Sequence, residues 1–406
     1  MSQQLINRNP ELKRLRDEGY NVRCIGTFLI VDDVSYVAAD RTVKRGRLVT
    51  GLQPISGDQI TGVETHIMHF AGEYPCDAQG RELHHLRHNG ATQHLPDLRT
   101  DYSFSSMPSE SPGQKRQYRD YYEKVITYVR MLSNPAISID PSADPRTFPP
   151  YETSEDESVF CYHDTASSRA GIGAITAKLE GQRVAIIGLG GTGSYILDLV
   201  AKTPVKEIHL FDDDEFQNHN AFRAPGAASF GEVAARLKKV DHFSQTYARF
   251  RRGIIPHAER IDVSNVDLLQ SMDFVFLAID SGTAKRVILT KLEELGTPFI
   301  DVGMGLHVTD DQMVHGALRV ATSTPEKRDH IQARNRIPLS EMAGPDIYAT
   351  NIQVADLNCL NACLAVIKWK KLSGFYKDLD EEHFCLYTVD GNHLMNEDKT
   401  CPESTN

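Results

Sequence analysis

No two cysteines in this 406-residue chain are spaced as Cys-x-x-Cys. The seven present (Cys24, Cys76, Cys161, Cys359, Cys363, Cys385 and Cys401) are odd in number and scattered. With nothing to suggest secretion, they read as reduced thiols in a cytosol rather than a disulfide framework. No apolar run reaches the length of a membrane span, and Met1-Ser-Gln-Gln lacks a basic-then-apolar leader, so no membrane partner is expected. A basic surplus is also missing: 44 Lys and Arg face 55 Asp and Glu, for a net charge of −11 and a pI near 5.8. That balance argues against a nucleic-acid platform and against an anionic membrane surface. What remains is an acidic, cytoplasmic chain, 40% hydrophobic and long enough for two or three domains.

The stretch that organises the chain is Val184-Ala-Ile-Ile-Gly188-Leu-Gly190-Gly191-Thr-Gly193, followed by Ser194 to Lys202. The β-branched run predicts a buried parallel strand, the glycines a turn, and Tyr195 to Ala201 the apolar face of a helix. Gly188 permits the tight turn, Gly190 lets a phosphate approach the backbone, and Gly193 lets the helix pack close to the sheet. Free N–H groups at the helix start favour an anion. A nucleotide is implied, but the glycines alone do not say which.

From about residue 157 strands alternate with helices. The strands are expected at Val184–Ile187, Glu207–Phe211, His257–Val263, Phe274–Ile279 and Pro298–Val302, and the helices at 193–202, 231–248, 264–270 and 282–295. This predicts an α/β, Rossmann-like, doubly wound and mostly parallel sheet. Domain boundaries are expected at 1–150 (a smaller α+β domain), 151–164 (linker), 165–376 (nucleotide domain) and 377–406 (a frayed extension). In the first domain, Val22 to Val37 reads as a hairpin split at Asp32-Asp33 and Thr65 to Phe70 as a strand. Tyr118 to Leu132 reads as a helix, and the proline-rich Ser133 to Asp156 as a linker or arm. His66, His69, Cys76, His84, His85, His88 and His94 are the residue types zinc takes, but their spacing fits no metal signature. A His-rich loop beside a half-buried strand is the plainer account.

Asp212 ends the second strand 19 positions beyond Gly193, where an acid can hold ribose hydroxyls. To that point an NAD dehydrogenase fits equally well. Beyond it come Asn220-Ala-Phe-Arg223 and Lys238-Lys239, cations that suit a triphosphate better than a dinucleotide. In order along the chain stand Gly188-x-Gly190-Gly191-x-Gly193, Asp212-x-Asp214, Asn220-x-x-Arg223, Lys239 and Asp280.

With that series, residues 165–375 resemble the ThiF/MoeB/E1 superfamily, adenylating enzymes that activate ubiquitin-like proteins and sulfur carriers. The resemblance implies ATP bound with Mg²⁺: Asp212 on the ribose, Asn220, Arg223 and Lys239 on the phosphates, and Asp280 on the magnesium. Arg169 sits where the family has an arginine that reaches the ATP of the opposite subunit, which implies a homodimer. The implied activity is adenylation of the C-terminal carboxylate of a ubiquitin-like protein, with possible transfer to an E2-like partner. Thr65 to Cys76 and its neighbours resemble the uncharacterised domain fused to such enzymes in bacterial ubiquitin-like conjugation operons, implying a docking role. The implied roles make physical sense, because a carboxylate meeting an anionic α-phosphate needs its repulsion cancelled and the leaving charge stabilised.

Plainer roles also exist: Lys238 and Lys239 as a solvated face, Asp280 as a helix N-cap, Arg169 as a surface arginine. The chain departs from the family in lacking the two zinc-binding Cys-x-x-Cys pairs of many bacterial relatives. Ala224 stands where a Gln often follows the family arginine, and residues 320–350 contain no cysteine for a thioester. Cys359 and Cys363 read as core thiols on a packed helix, with nucleophile as the minor alternative and Cys385 weaker still. Either the reaction stops at the acyl-adenylate, or a hydroxyl among Thr322, Ser323, Thr324 and Ser340 takes the acyl group. Three rivals stand beside this: adenylation of a small or tRNA-linked carboxylate, an NAD-dependent oxidoreductase, and an inactive ATP-binding scaffold.

Overall fold

A computed structural model describes residues 2–400 apart from 56–58, 61, 89–93, 96–97, 112–113 and 340–351. Two compact units emerge, Met1–Thr153 with His163–Ile172, and Ser154–Tyr162 with Gly173–Asn406. Among the described residues, no helix is long and apolar enough to cross a membrane.

The first unit is built on a six-stranded antiparallel sheet. Its strands are β1 (Asn21–Ile25), β2 (Phe28–Val37), β3 (Val43–Gly51), β4 (Ile67–Ala71), β5 (Arg87–His88) and β6 (Tyr102–Ser105), in the order β1-β2-β3-β4-β6-β5. The expected hairpin is present, but it turns at Gly26, whose φ is +55°, and not at Asp32-Asp33. Those two acids lie inside β2 at a bulge between Val31 and Val34. Asp32 is tolerated there because it pairs with Arg23 at 2.5 Å on one side and with Arg47 on the other, while Asp33 accepts from Asn21 Nδ2 at 2.7 Å.

Helix α1 (Tyr121–Ile139) is capped by Asp120, which accepts from the Glu123 N–H at 2.7 Å. Its stripe of Val125, Tyr128, Val129 and Leu132 shares one core with Leu48, Met68 and Phe70. The helix runs seven residues past the expected Leu132, carrying Pro135 within it. Lys124 is buried on the same helix, donating to Thr50 Oγ1 and the Thr65 carbonyl at 2.7 Å each, and burial pushes its pKa down to about 7. Among the described residues, the histidines and Cys76 form no group of three that could hold one ion. Among the described residues, the one set of three possible ligands within reach of a single ion is Asp212, Asp213 and Asp214.

The second unit carries an eight-stranded sheet. Strands β7 (Arg183–Ile187), β8 (Glu207–Phe211), β9 (Ile254–His257), β10 (Phe274–Leu277) and β11 (Phe299–Val308) run parallel in the order β9-β8-β7-β10-β11. Antiparallel β12 (Val314–Ser323), β13 (Phe384–Thr388) and β14 (His393–Glu397) extend it beyond β11. The chain reverses direction of travel between β7 and β10, and a doubly wound sheet opens its ligand crevice at such a switch point.

Helices α2 (Gly191–Ala201) and α3 (Ala355–Leu372) cover one face, where Ile196, Leu197 and Val200 meet Ala362, Ala365 and Trp369. Helix α4 (Gly282–Leu295) covers the other, with Ile288, Leu289 and Leu292 against Val275 and Leu277.

Three expectations change. The third strand ends at His257 instead of beginning there, and the expected helix 231–248 is broken into 230–234 and 239–247. The break falls at Arg236, which has φ +49°, a conformation no helix continues through. The chain end expected to be frayed instead supplies β13 and β14, held by Arg336 pairing with Glu397 and with Asp398 at 2.8 Å.

At the foot of β12, His330 and His383 are 2% and 4% exposed, with ring centroids 5.9 Å apart. Burial holds both imidazoles below their ordinary range. The unfolded chain therefore binds protons that the folded chain refuses, and stability rises with pH. This contribution is whole above about pH 6.5 and is lost as pH falls below it. The unfolding temperature is expected to drop between about pH 7 and pH 5. His330→Leu should flatten that slope in a melting series; an unchanged slope would contradict the assignment.

Candidate functional site

The carboxyl ends of β7, β8 and β10 open on a cavity of about 460 Å³. Each glycine in the turn has its own cause. Gly188 has φ +90°, and a Cβ there would overlap the Ala278 carbonyl. A Cβ on Gly193 would overlap the Gly188 carbonyl, so its absence lets α2 sit against the strand. Gly190 faces open space within 4 Å of a would-be Cβ, the close approach expected for a phosphate.

Gly188, Gly190, Gly191, Asp212, Asp214, Arg223, Lys239 and Asp280 all line this cavity, although they span more than ninety positions of sequence. Three expected residues do not line it. Gly193 acts through packing, as described. Asn220 is 3% exposed, and its Oδ1 accepts from the Gln217 N–H at 2.8 Å, capping the short helix Asn218–Ala221 that carries the chain to Arg223. Arg169 belongs to the first unit, where its guanidinium lies 4.6 Å over the Phe148 ring.

Asp212 is a staple as much as a binding group. Its carboxylate accepts from the Leu189 N–H at 2.6 Å and the Asp214 N–H at 2.9 Å, tying the glycine turn to the end of β8. The two neighbouring lysines take separate roles. Lys239 is buried, 2.7 Å from Asp214 and 3.3 Å from Asp212, whereas Lys238 is exposed and donates to the Asp213 carbonyl at 2.7 Å. Burial works to raise the pKa of Asp214, but Lys239 outweighs it and leaves the carboxyl below its usual range. The Asp214 side chain stays 61% exposed, open to a ligand.

Arg223 differs from both lysines. It is half-buried, and its Nε is shielded from solvent without a hydrogen-bond partner among the described residues. Burial lowers its pKa, against the opposing charges of Asp280 and Asp214.

Among the lining residues not anticipated are His219, Arg260, Met304 and Gln353. Burial, then Arg223 and Lys239, hold the His219 imidazole below its ordinary range. Arg260, 3.4 Å from Asp213, went unnoticed because the third strand was expected to run through it. Gln353 precedes α3 with a buried Oε1 that has no partner among the described residues, and no local pattern marks it.

Of the four hydroxyls weighed as acyl acceptors, the three that are described lie elsewhere. Thr322 and Ser323 pair with Ile300 and Phe299 at the start of β11, whereas the cavity is lined from Val302 onward. Thr322, Ser323 and Thr324 are 1%, 0% and 6% exposed, and Ser340 lies outside the described residues. No cysteine is in the cavity wall among the described residues. Burial, then neighbouring Cys359, raises the pKa of Cys363, and burial pushes Cys385 up to about 11, the reverse of what a nucleophilic thiolate needs.

Residues 166–391 match the model of the ThiF family, and residues 10–165 match that of a domain of unknown function (DUF6791). Ubiquitin-like modifier-activating enzyme 5 of Mus musculus is 24% identical over 154 residues, covering 34% of this chain and 37% of that protein. The Bombyx mori enzyme of the same name is 24% identical over 153 residues, covering 34% and 38%. The chain thus spans well under half the length of these curated relatives. Among solved structures, E. coli MccB with MccA-N7isoASN is similar at a TM-score of 0.44 and 16% identity, covering 57% of this chain and 68% of that one. E. coli MccB with ATP is similar at a TM-score of 0.40 and 16% identity, covering 57% and 67%.

Proposed function

The chain belongs to the ThiF family, and on that premise we propose that it is an ATP-dependent adenylyltransferase acting on the C-terminal carboxylate of a ubiquitin-like protein. One carboxylate oxygen attacks the α-phosphorus, the bond from that phosphorus to the bridging oxygen breaks, and pyrophosphate leaves with the electron pair. No proton moves, so the protein's task is to place and neutralise charge. The observation that carries this is Arg223, a cation turned toward the cavity with a buried N–H still unmatched. A phosphate oxygen is the partner it suits.

The same geometry supports the other roles. The start of α2 beside Gly190 offers backbone N–H groups to the phosphates. Asp214, with its exposed carboxylate, takes the ribose hydroxyls, while Asp212 and Lys239 hold the turn and Asp214 in place. Asp280, in the cavity wall, supplies oxygen donors of the kind Mg²⁺ takes. When bound, that ion would screen phosphate charge. Asp280→Asn is expected to raise the Mg²⁺ concentration for half-maximal activity about tenfold, a scale typical of weakened metal sites. An unchanged requirement would remove Asp280 from the metal.

The names of the curated relatives favour a ubiquitin-like protein over a small acid as substrate. With every described cysteine outside the cavity wall, the reaction ends at the acyl-adenylate, for direct transfer to an E2-like partner. As in the family, the chain would act as a homodimer, with Arg169 serving the second copy's nucleotide; full activity in a monomer would withdraw that role. ATP–pyrophosphate exchange tests the whole. Exchange that requires a ubiquitin-like protein supports it. Exchange with a small acid, nicotinamide reduction, or ATP binding without exchange would each favour one of the rivals.

A further inference from the structure

Helix α3 packs into an apolar core, yet it buries two amides completely. Asn358 and Asn361 are each 0% exposed and lie three residues apart, on one face of the helix. Asn358 meets the start of α2: Thr192 Oγ1 donates to its Oδ1 at 2.9 Å, and a Cβ on Gly191 would overlap its amide group. Asn361 reaches the other wall, where its Nδ2 donates to the Gly303 carbonyl at 3.1 Å. Gly191, Thr192 and Gly303 all line the cavity assigned to ATP. Among the described residues, Asn358 Nδ2 and Asn361 Oδ1 have no partners. Two half-satisfied buried amides are a poor way to stabilise a core, because each leftover group keeps its desolvation cost. What they do achieve is contact with both walls of the cleft from a single rigid helix.

We propose that Asn358 and Asn361 are positioning residues that set the spacing of the ATP cleft between the Gly191–Thr192 wall and the Gly303 wall. Gly191 is then explained by its neighbour and not by a phosphate: Gly190 already opens on free space, whereas Gly191 is matched to the Asn358 amide. Small displacements of this kind matter because misplacing a reacting group by about 1 Å can cost two orders of magnitude. The inference rests on the cavity being the ATP site.

The test is calorimetric titration of the full chain with ATP and Mg²⁺, beside thermal unfolding followed by Trp369 fluorescence. Asn358→Leu and Asn361→Leu are each expected to weaken ATP binding about tenfold or more. Their unfolding temperatures should hold or rise, since a buried unpartnered group is removed from each. A merely structural role would lower the unfolding temperature and spare the affinity; affinities within twofold of the parent in both variants overturn the proposal. Gly191→Ala supplies a second route: it should impair ATP binding, and adding Asn358→Ala should recover part of the loss by making room. No recovery also overturns it. Failure of the parent chain to bind ATP would show before any substitution is made, and it overturns the functional reading as well.

Discussion

Replacing Arg223 with alanine is expected to lower carrier-dependent ATP–pyrophosphate exchange by at least about a hundredfold, the scale of losing one preorganised charge-stabilising group. The unfolding temperature should barely move. These two expectations come from one feature. A guanidinium in an ordinary surface ion pair contributes little and is easily spared. Arg223 has instead given up solvent at Nε without gaining a partner, with Asp280 and Asp214 as the acids that oppose the lowering of its pKa. The fold gains little from such a group, so its removal costs the fold little, whereas the charge developing on the phosphates loses its nearest unspent cation. Arg223→Lys should recover part of the rate, since charge survives but the planar fork does not. Near-normal exchange in Arg223→Ala would mean that the cavity binds its anion some other way.

Asp301→Asn is expected to act in the opposite sense, on stability first. Asp301 is fully buried on β11, 2.7 Å from Lys285 Nζ and 2.6 Å from an Arg319 guanidinium nitrogen. Neutralising it strands two cations in the interior, and breaking a buried pair costs about 3–5 kcal/mol. Trp369, the single tryptophan of the chain, is buried in the second unit and reports on that unit alone. Its fluorescence midpoint in urea should fall clearly. Val302, Gly303 and Met304 directly follow Asp301 and form one wall of the cavity, so ATP binding should weaken as well. An unmoved midpoint would show that the three charges are dispensable to the fold.

Much of the nucleotide half was legible because its chemistry is written at fixed distances from its strands. Val184 to Ile187, the glycines and Asp212 combine a strand, a turn and an acid, and each has a local physical signature. Arg223, Lys239 and Asp280 were found by their order, and the fold carries all three to one cavity. Local signals misled where tertiary partners decide. Asp32-Asp33 looks like a turn until Arg23 and Arg47 pair with it across the sheet. The end of the chain looks frayed until Arg336 holds Glu397 and Asp398. Asn220 carries the right motif, yet its side-chain Oδ1 is taken by the Gln217 N–H. Asn358, Asn361 and Gln353 had no signal at all, because an amide on or beside an apolar helix acquires meaning only from the wall it touches.

The central claim is that a protein tail's carboxylate attacks ATP in the cavity between β7, β8 and β10. It is tested most directly by measuring ATP–pyrophosphate exchange with one ubiquitin-like protein in two forms, with a free C-terminal carboxylate and with that terminus amidated. Exchange with the free acid and none with the amide is the predicted result. Equal exchange with both forms, or with no protein added, would contradict it.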